Sequence, residues 1–381
     1  MADDEQHRRA AALDQLMGRL RLDALVLAGA DYRGHKGTLR WVADYNLVHR
    51  YGFAIAAPGR PPELLLPQNL AMARPGGWDV PVTFARDLRI GLPDALRAIG
   101  PTRRIGVVGL GQVMKVEDYL ALVAAFPDAE IVDASDAFER VRAHKTAYEL
   151  EGVRESVALA DACFDRLLEI ARPGITEREI GAAMYERCYA LGGEDPLFLS
   201  MYPEQKGDRV EGRFGPPVDR VLDRGECLVF SYELVGRMGY WMELARMVVF
   251  GEPTELQLRM NAAVTAGLDA GARAMRPGRR PDEVQQAITG AVAAHGADCS
   301  YWSGHGIGQD VIEEPWLGLE VVQDRSVPST WELAEGMVLS NHPYAVDRGG
   351  KGVGYMANTY VVGETGGESL SEMPLDLYVI S

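Results

Sequence analysis

Hydrophobic positions along the chain fall into two regimes. In the first third, short apolar runs alternate with helix-spaced stretches. An amphipathic pattern carrying Leu13, Leu16 and Leu20 runs into the compact run Ala24-Leu25-Val26-Leu27. Phe53-Ala54-Ile55-Ala56 and Glu63-Leu64-Leu65-Leu66 flank Pro58-Gly59 and predict a hairpin. Arg104-Ile105-Gly106-Val107-Val108 and Glu130-Ile131-Val132 predict buried strands, with helices near 93–99 and 115–126. Alternation of this kind predicts an α/β domain with a mixed or parallel sheet. Gly106, Gly109 and Gly111 follow a strand, but their spacing is not GxGxxG. A tight turn is expected there, not a phosphate loop.

From Ala143 the texture changes. Residues 147–171 carry one long helical pattern that runs into Arg172-Pro173-Gly174. Thr176 and Glu179 then have capping-box spacing, so a second helix starts there and ends near Gly192-Gly193. About a hundred residues on, the same grammar returns. A helix over roughly 255–275 meets Arg276-Pro277-Gly278, and Pro281-Asp282-Glu283 opens another. Strand-rich sequence follows each pair: 227–232 after the first, 337–340 and 359–362 after the second. Internal duplication predicts a C-terminal α+β domain of two pseudo-symmetric halves with a site between them.

Composition narrows the function. The 381 residues suggest two domains. The formal net charge of −16 excludes a general binder of nucleic-acid backbone, which needs a basic face. No apolar run approaches the roughly 20 residues that span a bilayer, and the N-terminal stretch lacks a signal-peptide pattern. Cys163, Cys188, Cys227 and Cys299 are far apart and suggest no zinc cluster. A cytoplasmic protein with reduced thiols, and with neither nucleic acid nor membrane as partner, is expected.

Several strings then carry a resemblance: Arg142-Ala143-His144-Lys145-Thr146-Ala147-Tyr148-Glu149-Leu150, Arg172-Pro173-Gly174-Ile175-Thr176-Glu177, Asp219-Arg220-Val221-Leu222, Ser303-Gly304-His305-Gly306-Ile307-Gly308, Gly336-Met337-Val338-Leu339-Ser340 and Asn358-Thr359-Tyr360-Val361-Val362. The chain resembles the creatinase, aminopeptidase P and methionine aminopeptidase superfamily, whose fold is called pita-bread. The resemblance implies a creatinase-like N-terminal domain over 1–142, a pita-bread domain over 143–381 and assembly as a homodimer. Metallopeptidases of that family hold two divalent ions with two Asp, one His and two Glu. Matched position by position, the first Asp falls at Tyr232 with Glu233 beside it, and the second at Glu243. The His is His305, the first Glu falls at His342 and the last at Ala357. The two substrate-handling histidines fall near Phe214 and at Ile312, and both are lost. A two-ion centre is therefore not expected, and no metal or other cofactor is assigned.

Creatinase and ectoine hydrolase are family members with a similar loss of ligands. The expectation is a metal-independent hydrolase or lyase that cleaves a C–N bond. Its substrate is small and polar, zwitterionic or of amidine or amide type. His305 is the expected general acid and base, with Glu243 and His342 also catalytic and Glu233, Tyr232, Tyr240 and Arg246 binding substrate. Two alternatives stand beside it: a metal-dependent Xaa-Pro peptidase-like enzyme with an atypical ligand set, and an inactive pita-bread binding module. His305 is expected to open onto a cleft and Glu313 and Glu314 to lie in a solvated loop; the structural alternative for Glu243 and Glu233 is a buried pair with Arg246 or Arg237.

Overall fold

The computed structural model describes residues 2–72, 77–206, 209–318 and 330–381. The chain forms two compact units, Met1–Ala143 and His144–Ser381.

The first unit is built on a six-stranded sheet in the order Val82–Ala85, Glu63–Pro67, Tyr51–Ala56, Ala24–Ala30, Arg104–Val108, Glu130–Asp133. Ala24–Ala30 pairs antiparallel with the hairpin strand and parallel with Arg104–Val108. A central strand covered on both faces reads as a continuous apolar run, and Ala24 to Ala28 are all buried. Leu25 and Leu27 pack into one core with Leu13, Leu16, Trp41 and Phe138. Ala24, Val26 and Ala28 face another with Leu92, Leu96 and Leu122. Gly109 is a turn residue, as expected: its φ is 79°, and its carbonyl accepts the N–H groups of Val113 and Met114.

In the second unit the duplicated grammar becomes two helix pairs. Ala147–Ile170 and Glu177–Ala190 form the first, Glu255–Ala274 and Pro281–Ala294 the second. Thr146 with Glu149, Thr176 with Glu179, and Thr254 with Gln257 each form a complete capping box. The reciprocal bonds satisfy N-terminal N–H groups that would otherwise lack partners. Two larger sheets carry most of the rest, beside a three-stranded sheet of Ala297–Cys299, Tyr344–Asp347 and Val353–Tyr355 and a two-stranded one of Ile175–Thr176 and Val221–Leu222. One runs Tyr378–Ile380, Met247–Phe250, Cys227–Val235, Glu194–Lys206, Arg209–Gly215, with Trp241–Leu244 also paired to Cys227–Val235. The other runs Glu313–Gly318, Trp302–Gly306, Val338–Asn341, Asn358–Val362, Gly367–Ser369. They meet where Ala245 and Ala357 exchange backbone hydrogen bonds and where Thr359 Oγ1 bonds both the N–H and the carbonyl of Glu243. This seam brings residues about a hundred positions apart to one place.

Candidate active site

Three strands position the central side chains. Glu243 lies on Trp241–Leu244, His305 on Trp302–Gly306, and His342 directly follows Val338–Asn341. The glycines around His305 are demanded by close approach. A Cβ at Gly304 would sit 2.3 Å from the Ser340 carbonyl oxygen and 2.6 Å from Leu317 Cδ1. The flanking strand can therefore pair tightly with Val338–Asn341, placing His305 opposite Ser340. Gly304→Ala is expected to cost about 1–3 kcal/mol through this overpacking, measured by urea unfolding.

Glu243, His305 and His342 converge, and one potential ligand atom from each lies within 4.8 Å of the others. All three are nearly sealed from solvent, with exposures of 2%, 4% and 3%. The expectation that His305 opens onto a cleft is corrected: Trp302, Trp316 and His342 surround its ring with centroids 6.4, 6.0 and 5.2 Å away. His305 Nδ1 lies 2.9 Å from the Gly306 carbonyl oxygen. A carbonyl only accepts, so Nδ1 carries the proton and Nε2 keeps its lone pair, 3.8 Å from Glu243 Oε2.

Hydroxyls, not arginines, partner the Glu243 carboxylate. Ser231 (2.9 Å) and Tyr355 (2.6 Å) donate to Oε1, and Ser340 (2.5 Å) donates to Oε2. Burial opposes its ionisation, but His342, His305 and the Ser340 and Tyr355 hydroxyls outweigh burial and hold it below the ordinary carboxylate value. Burial, aided by the neighbouring His342, pushes His305 down to about 4 against the pull of Glu243. Burial also lowers His342, again against Glu243. Burial thus favours uncharged imidazoles, and the hydroxyl donors favour an ionised Glu243. Burial, then the Glu243 charge, raises Tyr355 well above its usual value, so it stays a donor.

Several expected residues lie elsewhere. Successive strand residues face opposite ways, and Glu233 stands directly opposite Glu243 in the register. Ser231 and Glu233 share that face, with Ser231 Oγ 3.5 Å from Glu233 Oε1. Tyr232 therefore points away; its hydroxyl donates to the Met184 carbonyl and its ring packs near Phe198. Tyr240 is also core: its hydroxyl reaches Glu149, and a Cβ at Gly152 would meet its ring at 2.4 Å. The Arg246 guanidinium is taken up by the carbonyls of Ala245, Ala357, Met373 and Pro374 and by the Asn358 side chain. These three are corrected from substrate-binding to structural. The expected solvated loop is corrected at Glu313, which is buried and ion-paired to Lys145 at 2.7 Å. Ser231, Ser340 and Tyr355 are the site residues missed from the sequence.

The comparisons decide the family. Residues 151–364 match metallopeptidase family M24, and residues 9–144 match the creatinase/prolidase N-terminal domain. The chain belongs to family M24. This M24 chain is similar to an Xaa-Pro dipeptidase of Lactobacillus helveticus, 28% identical over 273 residues that cover 70% of each chain. Its fold is similar to that of X-Pro aminopeptidase from Thermotoga maritima, with a TM-score of 0.81, 18% identity and coverage of 97% and 99%. It is also similar to dipeptidase PepE from Mycobacterium ulcerans, with a TM-score of 0.80, 23% identity and coverage of 100% and 99%. At these identities the structural likeness is one of fold.

The M24 residues present here do not fit a pair of metal ions. Among the described residues the one qualifying cluster is Glu243, His305 and His342, which contains a single carboxylate. Two adjacent 2+ charges need bridging carboxylates to offset them; here only Glu243 and Glu233, directly opposite it with Ser231 between their oxygens, stand where the resemblance implies four carboxylates.

Proposed function

We propose that this M24 hydrolase cleaves a C–N bond in a small polar substrate through proton transfer at His305, without a metal pair. It acts as a cytoplasmic homodimer, a reading that rests on the family resemblance. The observation that carries the proposal is the sealed contact between His305 Nε2 and the Glu243 carboxylate, which is held by three hydroxyls. Nε2 takes a proton from the attacking water, whose oxygen bonds to the substrate carbon. The nearby Glu243 charge stabilises the imidazolium that forms. His305 then delivers the proton to the departing nitrogen as the C–N bond breaks. Glu233, on the same face, offers a carboxylate to a cationic substrate group. His342 orients the substrate against the Trp302 and Tyr355 rings, whose centroids lie 4.6 and 5.9 Å from its own.

The test is a panel of guanidino acids, cyclic amidines, N-acyl amino acids and proline-ending dipeptides, with release of amine followed by mass spectrometry. Turnover of a member of the panel is expected to persist in excess chelator, with no stoichiometric metal by elemental analysis. Two tightly held ions per chain, lost together with activity, would overturn the proposal. A second reading has one specific observation in its favour: two imidazoles and a carboxylate within 4.8 Å suit one divalent ion by number and type. One metal equivalent, with activity abolished by chelation and restored by that metal, would select it.

A further inference from the structure

We propose that Lys145 and Glu313 are positioning residues that fix the spacing between His305 and Glu243. The Glu313 charge also acts on His305 through space, favouring its imidazolium. Glu313 opens the strand antiparallel to the one carrying His305, in register with Gly306. Its carboxylate folds back over the intervening loop. One oxygen accepts the N–H groups of Gln309 (2.8 Å) and Asp310 (3.2 Å), and the other accepts Lys145 Nζ (2.7 Å). The side chains of Lys145 and Glu313 are 3% and 2% exposed. Gly308, inside this loop, leaves no room for a side chain, because a Cβ there would meet both Glu313 oxygens at 2.4 Å.

The loop is tied at both ends of the problem. The Gly308 carbonyl accepts the Trp241 N–H at 2.6 Å, and Trp241 begins the strand that carries Glu243. The Lys145 backbone N–H donates to the Gly336 carbonyl, and the adjoining His144 pairs with Met337, at the start of the strand leading to His342. The ion pair therefore clamps together the strand of His305, the strand of Glu243 and the approach to His342. A shift of about 1 Å in such a constellation can cost about 10²-fold in rate.

The proposal takes from the functional reading only that His305 and Glu243 act together, and its test is read first without substrate. Imidazole nitrogen–proton NMR spectra would be recorded for the full chain and for Glu313→Gln, Lys145→Met and Lys145→Arg. Glu177→Gln, in the distant buried pair with Arg220, is the control. Glu313→Gln and Lys145→Met are expected to move the His305 resonances, and Glu177→Gln to leave them in place. On any substrate found, Glu313→Gln is expected to lower kcat by about 10²-fold with little change in KM, and Lys145→Arg to recover part of the loss. Folded Glu313→Gln with His305 resonances and kcat at wild-type values would overturn the proposal. If Lys145→Met does not fold, Glu313→Gln and Lys145→Arg still decide it. Moved resonances with no C–N substrate found would leave the positioning role intact and count against the functional reading alone.

Discussion

His305→Ala is expected to fold, to bind substrate and to turn it over about 10²–10⁴-fold more slowly, the usual loss when a general acid–base group is removed. The substitution deletes the lone pair at Nε2, which faces Glu243 at 3.8 Å. His342→Ala is expected to lose less rate and more affinity, because its place between Trp302 and Tyr355 is that of an orienting group. Steady-state kcat and KM for both variants, with circular dichroism to show that each is folded, provide the check. Near-normal kcat in folded His305→Ala would end the proton-transfer mechanism.

Glu243→Ala is expected to damage stability as well as activity. The Ser231, Ser340 and Tyr355 hydroxyls all donate to this one carboxylate in a buried site. Without it the Ser340 and Tyr355 hydrogens lose this acceptor, while Ser231 keeps Glu233 Oε1 at 3.5 Å, and a buried group left unsatisfied costs about 1–3 kcal/mol. Hydroxyl rotation recovers part of this, so a net loss of about 3 kcal/mol is expected. Glu243→Gln keeps an acceptor oxygen and the shape, and about 1–2 kcal/mol is expected for it. Both variants should lose activity, since neither retains the negative charge that stabilises the imidazolium. Denaturant midpoints at unchanged slope separate the two; equal stability of Glu243→Ala and wild type would refute the three-hydroxyl account.

Much of the fold was legible because it is written in local chemistry. Capping boxes, the Arg-Pro-Gly turns and the glycine-flanked histidine each declare themselves within a few residues. His305, Glu243 and His342 could be named because the family motifs around them are compact. Tyr232 failed for a reason particular to strands: a displacement of one residue moves a side chain to the opposite face. The hydroxyl beside Glu243 belongs to Ser231, while Tyr232 fills core. Arg246 failed because nothing in its neighbourhood announces carbonyls from Ala357, Met373 and Pro374. Tyr355 lies 112 positions from the carboxylate it serves, with no local signal of the contact. Glu313 looked like a loop acid because its partner, Lys145, is 168 positions away.

The seam at Ala357 also bears on ancestry. In the positional match this residue stands where the metallopeptidases carry their last carboxylate, and here its backbone joins Ala245 and caps the Arg246 guanidinium. Introducing Glu at 357 alone would add a further anion to the carboxylates of Glu243 and Glu233, a costly arrangement in a buried site. Placing an acid at Ser231, the neighbour of Tyr232 that faces Glu243, would remove a hydroxyl donor and add the same repulsion. Exchanging His342 alone would leave His305 facing more negative charge without a second ion. On the proposed metal-free reading, each such single substitution toward a two-ion centre is therefore expected to cost stability before a second ion could be held.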